Sequence, residues 1–331
     1  MRPTRREFIT QTIGGSLLLA GCRPSGPPGA DGNGAGDRFR VGLVYFAPEE
    51  GADNCIAGLY EGLASAGFER DSNLEILSAH AQGEIANIPL LLQNYDSQNL
   101  DLIVTLTTPC LTAAAGIVRR TPVVFTYVYD PIAAGAGTSR EEHLPNITGV
   151  GSFPPVEETI DLIQEIVPNL TAVGTVYNSS EANSVKVVSV AREIFERRGI
   201  RLEEVTATST NEVFQAAQVV SYRDVQALWV TGDNTALQSF DAIVRASRDA
   251  GIPLVINDPE FTPRGAVASV GLGWREAGRA GGVLAARVLR GENPQDLPFE
   301  EVAVKKIVLN EAAAQELGIT FPADIVAEAQ A

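Results

Sequence analysis

The sequence predicts an α/β fold made of two similar lobes, each a mainly parallel sheet covered by helices. Three observations carry that expectation. From about residue 38 onward, short apolar runs alternate with segments of helical periodicity, the rhythm of βαβ units. Strand-like segments of the first half return in the second half, in the same order. The chain is 45% hydrophobic over 331 residues, enough for a sizeable core and one or two domains of this kind.

The elements follow in order, beginning with a leader. Thr4-Arg5-Arg6-Glu7-Phe8-Ile9 has the form of a twin-arginine (Tat) export signal. Leu19-Ala20-Gly21-Cys22 has the form of a lipoprotein box, cut before Cys22, which is then acylated. Thr10, Gln11, Thr12, Gly14, Gly15 and Ser16 interrupt the apolar stretch between them, which is too short to cross a bilayer. Residues 1–21 are therefore expected to be a Tat-type lipoprotein signal peptide. Residues 22–37, rich in Pro and Gly and without a large apolar side chain, read as a lipidated flexible tether. The folded part is expected to be exported, a periplasmic or cell-surface lipoprotein anchored to a bacterial membrane through Cys22.

In the first half, Val41-Gly-Leu-Val-Tyr45 is a buried strand and Asn54 to Ala66 a helix. Leu74 to Ser78 is a strand, Ile85 to Tyr95 a helix, and Leu102 to Leu106 a strand. A third helix starts near Pro109, and Val123 to Tyr127 is a fourth strand. About 130 residues later, Val173-Gly-Thr-Val-Tyr177, Leu228-Trp-Val-Thr231 and Ile252-Pro-Leu-Val255 repeat three of these strands. Val185, Val188, Ala191, Ile194 and Phe195 form one face of a covering helix. Another helix runs from Glu276 to Leu289 and stops at Arg290-Gly291. Ile307 to Leu309 is a last strand, with a short helix after Asn310.

Composition removes several function classes. Asp and Glu number 41 against 25 Lys and Arg, a formal net charge of −16, and loss of the leader strips away Arg2, Arg5 and Arg6 but only Glu7. So acidic a surface excludes nucleic acid as a partner. His80 and His143 are the only histidines and the three cysteines do not cluster, so no metal site is expected. No G-x-S-x-G elbow, P-loop or G-x-G-x-x-G after the first strand is present, and neither a cofactor nor an enzymatic activity is expected. Cys55 and Cys110 stay open between a disulfide in an exported protein and two buried thiols.

In open parallel sheets, ligands bind beyond the carboxyl ends of the strands. Those positions hold the candidate ligand-binding residues Phe46, Thr107, Thr108, Tyr129, Asp130, Asn178, Ser179, Ser180, Asp233, Asn234 and Asp258. Thr107-Thr108 and Asn178-Ser179-Ser180 begin helices, where backbone N–H groups and hydroxyls suit a carboxylate or simply cap the helix. Asp130, Asp233 and Asp258, with Glu49 nearby, suit an ammonium group or cap helices and turns. Phe46, Tyr127, Tyr129 and Phe153 suit an aromatic ligand or pack one lobe on the other.

These residues resemble a known family. Tyr177-Asn-Ser-Ser-Glu-Ala-Asn-Ser184 and Thr231-Gly-Asp-Asn-Thr235 are similar to segments of ABC-importer substrate-binding lipoproteins, in the branch of the tryptophan- and tyrosine-binding proteins. Thr108-Pro109, Asp130-Pro131, Ile147-Thr-Gly149 and Leu289-Arg-Gly-Glu-Asn-Pro294 fit as well. Phe46-Ala-Pro-Glu-Glu-Gly-Ala-Asp-Asn54 departs from the branch in being longer and more acidic than its usual first loop.

The resemblance implies a type I periplasmic-binding fold whose lobes close by a hinge over a small ligand, an amino acid or an aromatic amino acid. It implies an ABC permease as membrane partner and a monomeric binding protein. The N-terminal lobe would comprise 38–149 plus about 273–299, and the C-terminal lobe 150–272 plus about 300–331. Crossings are expected near 149–152, 270–274 and 298–302. A ligand-sensing receptor of the same fold, serving a membrane signalling system, and an exported α/β enzyme are the alternatives.

Overall fold

The computed structural model describes residues 38–70, 72–302 and 304–330. The expected signal peptide, tether and Cys22 lipidation site lie outside the described residues. Strands and helices alternate through the first lobe as β1 (Phe39–Tyr45), α1 (Glu50–Ser65), β2 (Leu74–His80), α2 (Ile88–Ser97), β3 (Leu102–Leu106), α3 (Thr108–Ile117), β4 (Val123–Val128) and β5 (Ile147–Gly151). The second lobe follows as α4 (Val156–Ile166), β6 (Ala172–Tyr177), α5 (Ala182–Arg197), β7 (Arg201–Thr206), α6 (Val213–Ser221), β8 (Ala227–Val230), α7 (Asn234–Gln238), α8 (Phe240–Ala250), β9 (Leu254–Ile256) and β10 (Ala268–Leu272). The chain ends with α9 (Trp274–Leu289), β11 (Glu300–Glu301), β12 (Lys305–Leu309), α10 (Glu311–Glu316) and α11 (Ala323–Ala329).

The two six-stranded sheets have the orders β11-β5-β4-β3-β1-β2 and β12-β10-β9-β8-β6-β7. The repeat read from the sequence thus recurs in topology, with β1, β3 and β4 at the places that β6, β8 and β9 take in the other sheet. Gly42 and Gly174 make the match local. A Cβ at Gly42 would lie 2.5 Å from the Tyr95 ring, and one at Gly174 would lie 2.8 Å from Val220, so each sheet presses a covering helix at the equivalent position. All pairings are parallel except β10 with β12, which is antiparallel.

The chain passes between the sheets three times: after β5, at Gly273 between β10 and α9, and between β11 and β12. One assignment changes. Glu300 and Glu301, expected in the C-terminal lobe, pair with Val150 and Gly151 of the first sheet. The third crossing therefore comes after residue 301, because Thr148 Oγ1 and the Arg140 guanidinium hold the Leu297 and Phe299 carbonyls to the first lobe.

After its crossing, α9 returns to the first lobe and lies on α1 at backbone contact. Gly58 and Gly62 of α1 face Gly278 and Gly282 of α9, and a Cβ at Gly278 would stand 2.0 Å from the Cys55 carbonyl oxygen. Only glycine permits that approach. Cys55 and Cys110 are buried free thiols in separate core clusters, so the open question of a disulfide resolves to two unbonded cysteines.

Candidate functional site

The carboxyl ends of β3, β4, β8 and β9 and the amino end of α9 meet between the lobes. A narrow cavity there is lined by Thr107, Thr108, Tyr127, Tyr129, Asn183, Gly232, Asn234, Leu237, Asp258 and Trp274. It adjoins a second one lined by Phe46, Ala47, Glu49, Thr107, Tyr127, Asn234, Leu237 and Gln238. A third cavity, with Glu50, Glu260 and Arg264 in its lining, shares Glu49, Leu237 and Gln238 with that one.

Backbone strain marks the first-lobe rim. Thr107 has φ 78° and Tyr127 φ 59°, left-handed values that a β-branched or aromatic residue adopts only when its surroundings hold it there. Each lies at a strand end, and the strain aims both side chains between the lobes. Thr107 Oγ1 is buried without a strong hydrogen-bond partner, beside the Cys110 thiol, a weak one.

Three aromatic residues wall the cleft. The Tyr127 ring meets Trp274 edge-on at 4.2 Å, and Tyr129 stacks on the same indole at 5.9 Å. Their polar tips serve two carboxylates. Tyr127 OH donates to Glu49 Oε1 at 3.0 Å, while the Gly51 and Ala52 N–H groups donate to the same carboxylate, which caps α1. Trp274 Nε1 donates to Asp258 Oδ1 at 2.8 Å and Tyr129 OH to Asp258 Oδ2 at 3.4 Å. The donors stand on the first lobe and Asp258 on the second, so these bonds join the lobes. Asn54 Nδ2, donating to Glu260 Oε1 at 3.4 Å, is another such bond.

Among the described residues no cation makes an ion pair with Glu49 or Asp258. Burial, and then each carboxylate's repulsion of its acidic neighbours, lifts Asp258 to about 8; burial lifts Glu49 to about 7 despite its N–H donors. Burial also raises Glu260, which Lys306 approaches at 3.6 Å.

The segment Asn178 to Thr235 is a buckle inside the second lobe. Asp233 is fully buried, accepting from Asn178 N at 2.7 Å, Ser184 Oγ at 2.6 Å and Ala236 N at 2.7 Å. Glu181 accepts from the backbone N–H and side chain of both Asn234 and Thr235. With two carboxylates so close and dry, burial and Glu181 push Asp233 up to about 7. Asn183 leans out of this buckle into the cleft. Its Nδ2 donates to the Gly232 carbonyl at 2.9 Å, and its buried Oδ1 is left without a partner.

Of the residues expected at the site, Thr107, Thr108, Tyr129, Asn234 and Asp258 line the central cavity and Phe46 the adjoining one. The geometry moves the others away. Asn178 is enclosed within the buckle, its Nδ2 on Thr235 Oγ1 at 2.9 Å, and Asp233 is a helix cap with its oxygens occupied. Ser179 and Ser180 are exposed at the turn. Asp130 caps its own turn through the Ile132 and Ala133 N–H groups and faces a different cavity, of about 380 Å³, behind Tyr129 along the hinge. There Lys186 Nζ stands 3.9 Å from Asp130 Oδ2 across the lobes.

Glu49 and Tyr127 were visible as neighbours of the strand ends, whereas Asn183 and Trp274 had no signal of their own. Asn183 was one letter of a motif, and Trp274 follows the second crossing, far in sequence from any strand end of the first lobe. Among the described residues no group of His, Cys, Asp and Glu could hold a metal ion, and no helix is long and apolar enough to cross a membrane.

Two α/β lobes joined by three crossings, with a polar and aromatic cleft at their strand ends, define a solute-binding protein of the type I periplasmic-binding fold. Residues 40–331 match the family of ABC transporter substrate binding proteins, and the chain belongs to that family. It is 25% identical over 314 residues to the tyrosine-binding protein of Clostridioides difficile (strain R20291), covering 94% of this chain and 90% of that one. The structure of the ABC domain in complex with L-Trp from Streptococcus pneumonia superposes with a TM-score of 0.84 at 28% identity, over 88% of this chain and 98% of that one. A ligand-free, open substrate binding protein with adhesive properties from Clostridium difficile, 26% identical, covers 86% of this chain and 97% of that one at a TM-score of only 0.65. At nearly equal identity, the higher TM-score is thus with the L-Trp complex and the lower with the ligand-free, open structure.

Proposed function

We propose that this chain captures an amino acid with an aromatic side chain between its lobes and delivers it to the permease of an ABC importer. The observation that carries the reading is the cleft itself. Tyr127, Tyr129 and Trp274 offer aromatic faces, while Asp258, Glu49 and Asn183 Oδ1 offer acceptors for an ammonium group. The amino end of α3, with the Thr107 and Thr108 hydroxyls, offers donors to a carboxylate. The relatives' ligands, tyrosine and L-Trp, support this choice.

In this reading the work is capture rather than chemistry. Closure brings Asp258 onto Tyr129 and Trp274, and the closed pair of lobes is the surface the permease meets. The protein acts as a monomer tethered by the lipid on Cys22 after Tat export, and it needs no cofactor.

A thermal-shift screen of the purified protein against the standard L-amino acids tests the reading. A ligand that binds only the folded state raises the melting temperature by mass action. A shift with tyrosine, tryptophan or phenylalanine is expected; a shift only with aliphatic or acidic amino acids, or with none, refutes it. For anchoring, Cys22→Ser should release a soluble protein from the membrane, and continued membrane retention would remove the lipid from the account.

A further inference from the structure

Phe153, expected to meet an aromatic ligand or to pack the lobes together, lines neither cleft cavity. It stands in the cavity of about 380 Å³ behind Tyr129, within the roughly 300–1,000 Å³ of small-molecule sites. Tyr129, Pro131 and Ile132 after β4, Phe153 after β5, Phe299 before β11 and Val190 of α5 give it a mostly apolar lining. Tyr129 lines the central cleft cavity as well, so one residue is common to both spaces.

The first-lobe wall is fixed by its own bonds. Phe299 N–H donates to the Arg140 carbonyl at 3.0 Å, and Arg140 Nε donates to the Phe299 carbonyl at 2.8 Å. Asp130 Oδ1 accepts from the Ile132 and Ala133 N–H groups at 2.9 Å, and Ser152 N–H donates to the Val128 carbonyl at 2.8 Å. A wall tied in this way is largely pre-formed, as small-molecule sites usually are.

The charged groups of the lining already face partners of opposite sign. Lys186 Nζ stands 3.9 Å from Asp130 Oδ2, Arg140 Nη1 3.3 Å from Glu301 Oε2, and Glu300 Oε1 3.7 Å from Arg287 Nη1. A charged guest would have to break one of these pairs or go without a partner, and burying an unpaired charge is costly. An uncharged aromatic guest does neither, and Tyr129 and Phe153 supply aromatic surface in the lining.

We propose that this hinge cavity is a second small-molecule site, separate from the cleft, that takes an uncharged aromatic molecule. Lys186 and Val190 come from α5 of the second lobe, whereas Tyr129 to Ile132 and Phe299 to Glu301 belong to the first. A molecule held between them favours the lobe arrangement that forms the cavity, and is thereby linked to the hinge on which capture in the cleft depends.

Indole is the probe, titrated near neutral pH into isotope-labelled protein and followed through the backbone amide resonances. The expected result is a dissociation constant below about 1 mM, with the shifts centred on Gly151, Ser152, Phe153, Glu300 and Glu301. Shifts centred on Thr107, Thr108 and Gly232 would put indole in the cleft and overturn the inference, as would no binding up to about 5 mM. Val190→Trp adds an indole to the lining from α5, and Ile132→Trp does so from the first lobe. Each should weaken indole binding at least tenfold by calorimetry, and unchanged affinity in either folded variant overturns the site. Indole-3-acetate and tryptamine carry the same ring with a negative or a positive charge. Both should bind there at least tenfold more weakly, and either one binding as tightly as indole overturns the assignment of an uncharged ligand. Should neither variant fold, the wild-type resonances decide alone. The amino-acid screen reads the cleft independently, so a melting shift with tyrosine or tryptophan stands whatever indole does.

Discussion

Replacing Gly278 with alanine should destabilise the protein, although alanine is the better helix former. Gly278 lies within α9, where the exchange by itself favours the helix by about 1 kcal/mol. The added Cβ, however, would stand 2.0 Å from the Cys55 carbonyl oxygen and 2.8 Å from its carbon. Ordinary contact for such a pair begins near 3.4 Å, so α1 and α9 must separate by more than an ångström. Backbone cannot rotate aside as a side chain can, and Gly58, Gly62 and Gly282 show the same contact at 2.0 to 2.2 Å, so the loss spreads along the seam. Overpacking of this kind costs about 3 kcal/mol or more where nothing gives, leaving a net loss of about 2 kcal/mol. For a domain of this size that lowers the melting temperature by roughly 4 °C. Gly116→Ala is the control: it is also helical, with nothing within 4 Å of the new Cβ, and should leave stability unchanged or slightly raised. Differential scanning calorimetry reads both. Because α9 begins with Trp274, whose indole bonds Asp258, the Gly278 variant should bind ligand more weakly as well. A Gly278→Ala protein melting at or above wild type would refute backbone contact between α1 and α9.

Asp258→Asn should weaken ligand binding at least tenfold, about 1.4 kcal/mol. Its ligand-free melting temperature near neutral pH should not fall, since a carboxyl lifted to about 8 is largely protonated there and asparagine is its neutral isostere; unchanged affinity by calorimetry would take Asp258 out of the site. Asp233→Ala should do the reverse and lower stability first, because Asn178 N, Ser184 Oγ and Ala236 N lose their shared acceptor in a dry interior; an unaltered melting temperature would contradict the buckle. Stability of the ligand-free protein should decline as pH rises from about 4 toward 8. Asp258, Glu49 and Asp233 are lifted to about 8, 7 and 7, above ordinary carboxylates, so the folded state holds protons that the unfolded chain gives up. Thermal melts at intervals of pH should show that slope, and Asp258→Asn should flatten its upper end; a melting temperature rising across that range would contradict the assignment.

The fold was legible where a strand is buried on both faces, because such strands are short, apolar and bounded by helix starts. Val41–Tyr45, Leu102–Leu106 and Val173–Tyr177 are of this kind, and β3 has the bounds read from the sequence. Edge elements were harder. The strand β7, Arg-Leu-Glu-Glu-Val-Thr, lies at the sheet margin with charged residues on it, and its pattern alone does not separate it from a loop. The antiparallel direction of β12 is set by where the third crossing delivers the chain, a matter of topology that no local pattern encodes.

The site was legible in place but not in role, and the reason is physical. Strand topology predicts which loops reach the cleft, yet a polar residue at a helix start can point inward to a ligand or back to its own backbone at similar energy. Sequence does not choose between them; the neighbours do. Asp258 follows Asn257, whose side chain is tied to Trp229, Thr159 and Val270, so its own carboxylate is delivered across the cleft to Tyr129 and Trp274. Asp233 follows a glycine that Tyr129 presses upon, where a Cβ would lie 1.9 Å from the hydroxyl, and it turns back to cap α7. One aspartate therefore joins the lobes and the other braces a single lobe, though both begin short helical turns after strands of the same sheet. The segments in which the sequence resembles the family follow the same logic. Asn178, Glu181, Asp233 and Thr235 spend their polar atoms on one another, leaving Asn183 and Asn234 to reach the cleft. A motif whose residues mainly hold a frame can persist while the ligand changes. The acidic first loop, which sets Glu49 against Tyr127 at 3.0 Å, lies outside that frame.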